Sequence, residues 1–499
     1  MKKIIYSIFI AIFAILALPS CDDFLNMQPT NSSNAVGAIA TPADAKVAMN
    51  GIMSSMNSSS YYGRNFIMYG DAKGGDLTIY SAGRGLDGLY SFNHTATSGT
   101  YFGFWTVGYY CIMQINNLLE NIDRLKSEGK TGFDFYEGQA FTLRALIYFD
   151  LVRLYGLPYN VEKSSLGVPK AITTLGSDAQ LGRATVEENY KQILSDLTVG
   201  KTLLANDMTM QDGYVSYYVN IATEARVKLY MEDYDGALSA AQEIINSGKY
   251  ELYKPSEWVN SWSEQFDSES IFEIGMIPAE SDLGSTSLGY YLMRFNQKTG
   301  ASGYFLASDY FLNRLGEDPE DIRWGVMDND EYWHTTKTER KGSCYKYMGG
   351  IIRQDGSFPG DGKETQTAVN IKVIRLSEIY LIAAEAALNA RTPNKQLAAD
   401  YLNSIRKRAP NLPPATAVDI TDDMILSERS KELFCEGHRF FDMIRKNKTI
   451  EFNDDFQDVP VSTRPKTINR TFGKIVLPIS QDEINANPAL ANEQNPAYK

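Results

Sequence analysis

Cysteine and histidine are scarce in this sequence, with four cysteines and three histidines among 499 residues. One cysteine, Cys21, follows an N-terminal apolar run, and the spacing of the others indicates neither a disulfide framework nor a metal cluster. Those others are Cys111, Cys344 and Cys435. Cys111 and Cys435 fall in apolar helical patterns and are expected to be buried. The histidines are His94, His334 and His438. They lack the spacing of metal ligands, so the sequence predicts no metal site and no cofactor.

Positive charge is also in deficit. Lys and Arg number 48 against 61 Asp and Glu, which gives a formal net charge of −13. A protein with this balance repels phosphate backbones, so the composition excludes nucleic acid as a partner.

An apolar run lies at the N-terminus. Residues 1–3 form a short basic start, residues 4–18 are apolar, and Pro19 and Ser20 precede Cys21. The run is too short to span a membrane and polar chain follows it, so we predict a cleaved signal peptide. A cysteine in this position resembles the lipobox of bacterial lipoproteins, in which the thiol is acylated and held to a bilayer. An ordinary signal peptide with an incidental cysteine is the alternative.

The residues after Cys21 have the composition of a tether. Residues 22–40 are polar and rich in small side chains, without an apolar period. We therefore assign 1–20 to the signal peptide, 21–40 to a lipidated N-terminus and tether, and the rest to a folded body.

The body is predicted to be mostly α-helical. Its hydrophobic content of 43% supports a large core, and apolar residues recur with a helical period from Ala43 onward. Further helices are predicted at 105–125, 139–155, 186–204, 217–231, 235–247, 375–390, 395–408 and 422–445. Thr185 with Glu188 forms a capping box at the start of one of them.

Two helix pairs share a pattern of small residues at helical spacing. They span 221–250 and 375–408, close to the ~34 residues of a tetratricopeptide unit. We therefore expect a tetratricopeptide-like helical-repeat scaffold. Residues 250–370 between the pairs are irregular, rich in Gly, Ser and aromatics, and are expected to form long loops with a few short strands such as 270–276.

Several stretches together resemble the SusD/RagB-like outer-membrane lipoproteins over nearly the whole chain. Their order and spacing are more specific than any one of them alone. The stretches are 21–25, 105–118, 144–156, 167–169, 375–386, 428–445 and 477–488.

The resemblance implies a function as well as a fold. Members of this family capture oligosaccharide outside the cell and cover a SusC-like TonB-dependent transporter. The chain would then be a non-catalytic, lipid-anchored protein of the outer membrane that faces outside, and Asp22 with Asp23 is similar to the family's export signal. The SusD-like domain would be 41–499, with an N-terminal half of about 41–215 and a C-terminal half of about 216–499.

Glu432 and Glu436 are the most enzyme-like pair. Four residues apart on predicted helix 422–445, they would share a face at a separation that suits two catalytic carboxylates. The arginines of this helix are Arg429, Arg439 and Arg445. Asp442 lies three residues from two of them, so we expect a structural ion network with neutralised carboxylates. Gly437, in the middle of the helix, is expected to permit close backbone packing.

A glycine pattern at 83–88 matches the dinucleotide motif G-x-G-x-x-G. Residues 76–80 before it could form a strand, but we predict no helix at 89–94, and a pyrophosphate site needs a helix N-terminus there. We therefore interpret the motif as a loop.

Aromatic residues in loops are the better candidates for binding. A flat ring beside polar groups suits the C–H face and hydroxyl rim of a sugar. The first group is Tyr80, Arg84, Tyr90, Asn93, His94 and Tyr101, and the second is Tyr290, Arg294, Tyr304, Trp324 and Trp333. The residues predicted to contact glycan are Tyr80, Arg84, Tyr90, Asn93, Tyr101, Tyr290, Tyr304 and Trp324. For each, the alternative is an aromatic or polar residue packed on the scaffold.

Two other functions share these features. A glycoside hydrolase would need a pair of unneutralised carboxylates in a cleft. A peptide- or protein-binding module would use the grooves that helical repeats present.

The lipid anchor can be tested by mass spectrometry. Mature protein from the native membrane is expected to begin at Cys21 and to carry acyl chains on that residue. An unmodified N-terminal peptide would contradict the prediction.

Overall fold

A computed structural model of the chain describes residues 38–80, 86–99, 101–208, 210, 212–293, 301–330, 340–349, 363, 365, 367–452 and 464–499. Within these ranges the protein is mostly helical with a few short strands, as predicted. No helix in them is both long enough and apolar enough to cross a bilayer. One hydrophobic cluster extends from Ile39 to Leu490 and so includes both ends of the described chain.

The helices before residue 250 include the longest ones. They are α1 Pro42–Met56, α2 Asn65–Lys73, α3 Asp87–Tyr90, α4 Phe102–Ser127, α5 Asp134–Tyr155, α6 Tyr159–Glu162, α7 Val186–Leu204, α8 Tyr217–Tyr230 and α9 Tyr234–Ser247. The later helices are α10 Leu288–Leu292, α11 Asp309–Leu315, α12 Leu376–Asn389, α13 Lys395–Arg406, α14 Asp422–Glu432, α15 Arg439–Arg445 and α16 Gln481–Ala486.

Local sequence signals determine several helix ends. The predicted capping box forms at the start of α7, where Glu188 N donates to Thr185 Oγ1 over 3.2 Å and Thr185 N donates to Glu188 Oε2 over 2.8 Å. The predicted range 186–204 is the observed one. Helix α9 ends at Gly248, which is left-handed with φ 63°.

The main helices pack in succession. Helix α4 packs on α5, α5 on α7, α7 on α8, α8 on α9, α9 on α12 and α12 on α13. Buried alanines in α9 and α12, such as Ala241 and Ala383, let neighbouring helices approach closely. This succession is consistent with the predicted helical-repeat scaffold.

In the described part of the chain, ten short strands pair as two-stranded antiparallel ladders. The strands are β1 Leu77–Ile79, β2 Leu166–Pro169, β3 Arg183–Thr185, β4 Ser270–Ile274, β5 Phe305–Ala307, β6 Met327–Asp328, β7 Ser343–Cys344, β8 Ile371–Arg375, β9 Ile450–Glu451 and β10 Thr467–Ile468. The ladders are β1–β5, β2–β3, β4–β8, β6–β7 and β9–β10. The predicted strand at 270–276 is confirmed as β4. Ladders β1–β5 and β4–β8 join parts of the chain that are far apart in sequence.

The prediction of one long helix at 422–445 is wrong. Helix α14 ends at Glu432 and α15 begins at Arg439, and between them Cys435 and Gly437 have φ of 62° and 85°. Cys435 is buried as predicted, but in this turn and not in a helix. Left-handed residues end a helix because they cannot continue its hydrogen-bond ladder.

The turn is held by contacts with α2. Gly437 N donates to Asp71 Oδ2 over 2.7 Å, and a Cβ on Gly70 would lie only 2.1 Å from Gly437 O. The close backbone packing expected of Gly437 is therefore present, although the residue is outside a helix. A side chain at Gly70 would push the two segments apart.

A buried ion network, here called the Arg375 network, joins β8 to the end of α14. Arg375 Nη1 lies 2.9 Å from Glu269 Oε2 and 3.2 Å from Glu432 Oε1. Arg375 Nη2 lies 2.8 Å from Glu436 Oε1. Arg408 closes the network, with Nη2 2.7 Å from Glu269 Oε1 and Nε 2.9 Å from Glu432 Oε2. Each of these side chains is at most 4% exposed.

The network determines the charge state of its acids. Burial by itself raises the pKa of the Glu432 carboxyl, but Arg408, Arg375 and Arg323 outweigh it and hold the pKa well below the usual range. For Glu436, Arg375 and Lys346 likewise overcome burial and lower the pKa. Both acids are therefore ionised and neutralised by neighbours.

Replacing Arg375 by Met is expected to be strongly destabilising. The change removes the guanidinium that three buried carboxylates share. Breaking a buried ion pair lowers the free energy of unfolding by about 3–5 kcal/mol. Arg391→Met is the matched control, because Arg391 is 89% exposed in its pair with Asp235, and such pairs contribute less than about 1 kcal/mol. Guanidinium unfolding of both variants checks this; equal losses of stability would contradict it.

His438 and Glu378 make stability depend on pH. Burial lowers the pKa of His438 from 6.5 to about 4. Burial alone would raise the pKa of Glu378, but Arg226, whose Nε lies 2.8 Å from Glu378 Oε1, lowers it from 4.5 to about 2. Both groups take up a proton in the unfolded chain at a higher pH than in the folded one. Stability is therefore present above the unfolded pKa values and is lost as pH falls, from 6.5 to about 4 for His438 and from 4.5 to about 2 for Glu378.

His438→Gln is expected to make stability less sensitive to acid between pH 6.5 and 4.5. A difference of one bound proton between the unfolded and the folded state changes the free energy of unfolding by about 1.4 kcal/mol per pH unit. The pH dependence of the variant should therefore be smaller by close to this amount. Unfolding free energies at several pH values measure this. A variant with the wild-type slope would refute the assignment.

Candidate functional site

Strand pairing brings the two predicted aromatic groups together. In the β1–β5 ladder Ile79 is opposite Phe305, so Tyr80, just after β1, meets Tyr304, just before β5. Tyr80 N donates to Tyr304 O over 2.9 Å. The ladder thus places one residue from each predicted group at the same end of a small sheet.

Two tyrosines of α10 extend this site. The rings of Tyr290 and Tyr291 are 5.5 Å apart between centroids, and Tyr291 lies edge-on to Tyr304 at 6.3 Å. Ser287 caps the helix by accepting from Tyr290 N. We call Tyr80, Tyr290, Tyr291 and Tyr304 the tyrosine cluster. Tyr80, Tyr290 and Tyr291 are half-buried, so each keeps some surface exposed to solvent.

Polar groups lie beside the rings. The Arg64 guanidinium lies over the Tyr291 ring, 4.8 Å from its centroid, and Arg64 Nη1 donates to Thr286 O over 3.2 Å. The Tyr304 hydroxyl donates to Asp87 Oδ1. Asp87 is partly exposed in α3. The site therefore combines aromatic faces with a carboxylate and a guanidinium, which is the mixture that binds a polyol.

Sequence reasoning missed Tyr291, Arg64 and Asp87. Tyr291 directly follows the predicted Tyr290, but a doubled tyrosine does not reveal which ring faces the site. Arg64 comes from another part of the chain altogether. No sequence signal places it over Tyr291, because the contact depends on how α2 and α10 pack.

Three predicted residues lie in the core. Tyr90, Tyr101 and Tyr304 are at most 1% exposed. The Arg464 guanidinium stacks on Tyr90, 3.7 Å from the ring centroid, and the Tyr101 hydroxyl donates to Thr95 O over 2.6 Å. Their placement fits the alternative of aromatics packed on the scaffold.

The remaining predicted residues are dispersed. Asn93 is exposed and accepts from Ser91 Oγ. Trp324 is half-buried in the turn Ile322–Val326, which is tied to Arg408, since Ile322 N donates to Arg408 O over 2.9 Å.

Several predicted residues lie outside the described ranges. They are Cys21, Arg84, Arg294 and Trp333.

The acid pair Glu432 and Glu436 forms the predicted structural ion network, but its partners are other than predicted. They come from β8, from Arg408 just after α13 and from nearby segments, and not from the arginines of the same predicted helix. Asp442 does pair with Arg445 at 2.9 Å, and with Arg429 at 2.8 Å. Ionised, buried and paired acids offer no proton donor to a glycosidic bond.

The glycine motif at 83–88 lies partly outside the described ranges. Strand β1 precedes it as expected, and the one-turn helix α3, Asp87–Tyr90, begins within its last two residues. The prediction of no helix at 89–94 is therefore wrong for Leu89 and Tyr90 only. In the described parts of the chain, no group of His, Cys, Asp and Glu is arranged to hold a metal ion.

Two family models match the chain. One, described as the SusD family, matches residues 321–498. The other, described as starch-binding and associating with the outer membrane, matches residues 23–229.

Solved structures and curated proteins are similar over most of the chain. A SusD superfamily protein from Bacteroides thetaiotaomicron is 31% identical with a TM-score of 0.81, over 91% of this chain and 100% of that one. A SusD-like protein P38 from Formosa agariphila is 24% identical over 98% of both chains. A laminarin-binding SusD-like protein shares the fold, with 21% identity, a TM-score of 0.68 and coverage of 91% of this chain and 99% of that one.

Proposed function

The chain belongs to the SusD family, and on that premise we propose that it is a surface-exposed glycan-binding lipoprotein. It captures oligosaccharide outside the cell and delivers it to a SusC-like TonB-dependent transporter. Residues 1–20 direct export, Cys21 carries the lipid, residues 21–40 form the tether, and 41–499 form the SusD-like domain. The protein binds its ligand without altering it.

The tyrosine cluster is the observation that supports this most directly. Its rings come from two segments more than two hundred residues apart and lie together with Asp87 and Arg64. Stacking on the half-buried Tyr290 and Tyr291 would hold the C–H face of a sugar, and Asp87 would accept hydrogen bonds from its hydroxyls. One structural relative is a laminarin-binding SusD-like protein, which agrees with a glycan ligand for this chain.

The Arg375 network supports capture without cleavage. Glu432 and Glu436, the strongest candidates for catalytic acids, are buried in the Arg375 network. A cleaving site requires two carboxyl groups whose environments separate their pKa values. Neither acid has such an environment, because both pKa values are held low.

Anchoring compensates for weak binding. Stacking and a few hydrogen bonds give modest affinity, whereas a lipid-anchored receptor beside a transporter holds its ligand at high effective concentration. The receptor therefore does not need tight binding, and a weakly bound glycan is released readily to the transporter.

Tyr290→Ala is expected to weaken glycan binding without unfolding the protein. An aromatic contact contributes about 0.5–1.5 kcal/mol, which corresponds to a loss of affinity of roughly 2- to 10-fold. Isothermal titration across a panel of neutral oligosaccharides first identifies the ligand and then compares the variant. Reducing-end release from the same glycans is measured alongside.

Tyr110→Ala is the matched control, since Tyr110 is 54% exposed on α4 and outside the tyrosine cluster. It should bind like the wild type. Equal losses of affinity in both variants would show that the tyrosine cluster is not part of the binding site. Binding of oligopeptides in place of every glycan, or release of reducing ends, would overturn the proposed function.

A further inference from the structure

A cavity lies apart from the tyrosine cluster. It has a volume of about 460 Å³ and is bounded by the end of α1, by the chain around Tyr214, by Phe266 and by the residues that follow β4. A smaller cavity of about 170 Å³ continues from it and shares Asp212, Gly213, Tyr214 and Phe266 as lining. We call the two together the α1 groove.

Phe266 is held in the groove by an unusual backbone. Its φ of 52° is left-handed, a conformation that bulky side chains rarely adopt. Phe266 N donates over 3.0 Å to Glu273 Oε2, on a side chain that is 3% exposed. Such strain persists only where the surroundings enforce it, and it is frequent at binding sites.

Glycines leave room beside the Phe266 ring. A Cβ on Gly275 would lie 3.2 Å from Phe266 Cζ, and a Cβ on Gly213 would lie 3.8 Å from the same atom. Tyr214, also half-buried, brings a second ring to the groove. Two aromatic side chains therefore line a space that is wide enough for a ring-shaped ligand.

A buried acceptor in the groove lacks a donor. Asn57 is 3% exposed, and its Nδ2 donates to Gly275 O over 2.9 Å. Its Oδ1 is buried without a hydrogen-bond partner among the described residues. An unsatisfied buried acceptor is costly, so a ligand hydroxyl that donates to Oδ1 would be favoured.

The charges of the groove define the ligand further. Asp212 and Glu280 are exposed lining residues, and neither forms an ion pair within the part of the chain that the structure describes. Two lysines also line the groove, Lys363 in the larger cavity and Lys249 in the smaller one, and Lys363 Nζ already donates to Ala368 O and Asn370 Oδ1. Asp267 and Glu273 line the smaller cavity as well, so four acids stand against two lysines and an anionic ligand is disfavoured. Uncharged sugar rings supply many hydroxyl donors together with an apolar C–H face, which suits the acceptors and the aromatic rings alike.

We propose that the α1 groove is a second saccharide subsite, which binds an uncharged glycan segment through Tyr214, Phe266 and the Asn57 Oδ1 atom. The proposal deepens the proposed function and rests on it. The chain after β4 leads from the groove, through the turn Gly284–Thr286, into α10 of the tyrosine cluster. One glycan capable of reaching both sites would gain affinity from their linkage.

The test uses the full-length protein and the neutral oligosaccharide that binds best in the panel described above. Wild-type protein is expected to show two binding events by isothermal titration. Phe266→Gly and Tyr214→Ala should each abolish one event and retain the other. Glycine favours φ of 52°, so Phe266→Gly removes the ring while relieving the backbone. Its thermal midpoint checks that the fold is kept.

Tyr290→Ala separates this proposal from the proposed function. It should weaken the event that the groove variants retain. If wild-type protein binds glycan and the groove variants keep both events unchanged, the subsite is refuted while glycan binding stands. If wild-type protein binds no glycan, both fail. Binding of a cationic peptide that the groove variants abolish, with glycan binding unaffected, would also overturn the subsite.

Discussion

The guanidinium of Arg375 is the interaction on which the C-terminal part of the structure depends. Arg375 is the last residue of β8 and directly precedes α12. Its guanidinium pairs with Glu269 just before β4, with Glu432 at the end of α14 and with Glu436 in the turn that follows. Charges this deeply buried are tolerated only with complete and well-oriented partners. The ladder β4–β8 and the turn after α14 therefore keep one relative position, and β4 in turn supports Glu273, which orients the backbone of Phe266.

Much of the scaffold follows from local sequence. Helix α7 has an apolar period and a capping box, and its two ends were predictable because both signals lie within the helix itself. The end of α14 was not predictable in the same way. Residues 433–438 continue a helical pattern, and the left-handed turn there is held by contacts with segments distant in sequence, such as those of Gly437 with Gly70 and Asp71.

The type of residue in the candidate site was predictable from the sequence, but the particular residues that form it were not. Composition and loop position identified aromatic segments around residues 80 and 290, yet a tyrosine in a loop has the same sequence signal whether it is buried or exposed. Tyr101 and Tyr290 differ only in what packs on them. The pairing of Tyr80 with Tyr304 depends on a ladder between distant strands, and the α1 groove depends on Phe266, whose backbone N–H donates to Glu273.

The contact between Asp71 and Gly437 spans 366 residues of chain. It ties α2, one of the first helices, to a segment that is synthesised near the end of the chain, and the β1–β5 ladder adds a second contact across more than two hundred residues. Contacts of this range close large loops, and chains dominated by them fold slowly. The N-terminal third therefore cannot complete its packing until nearly the whole polypeptide is present.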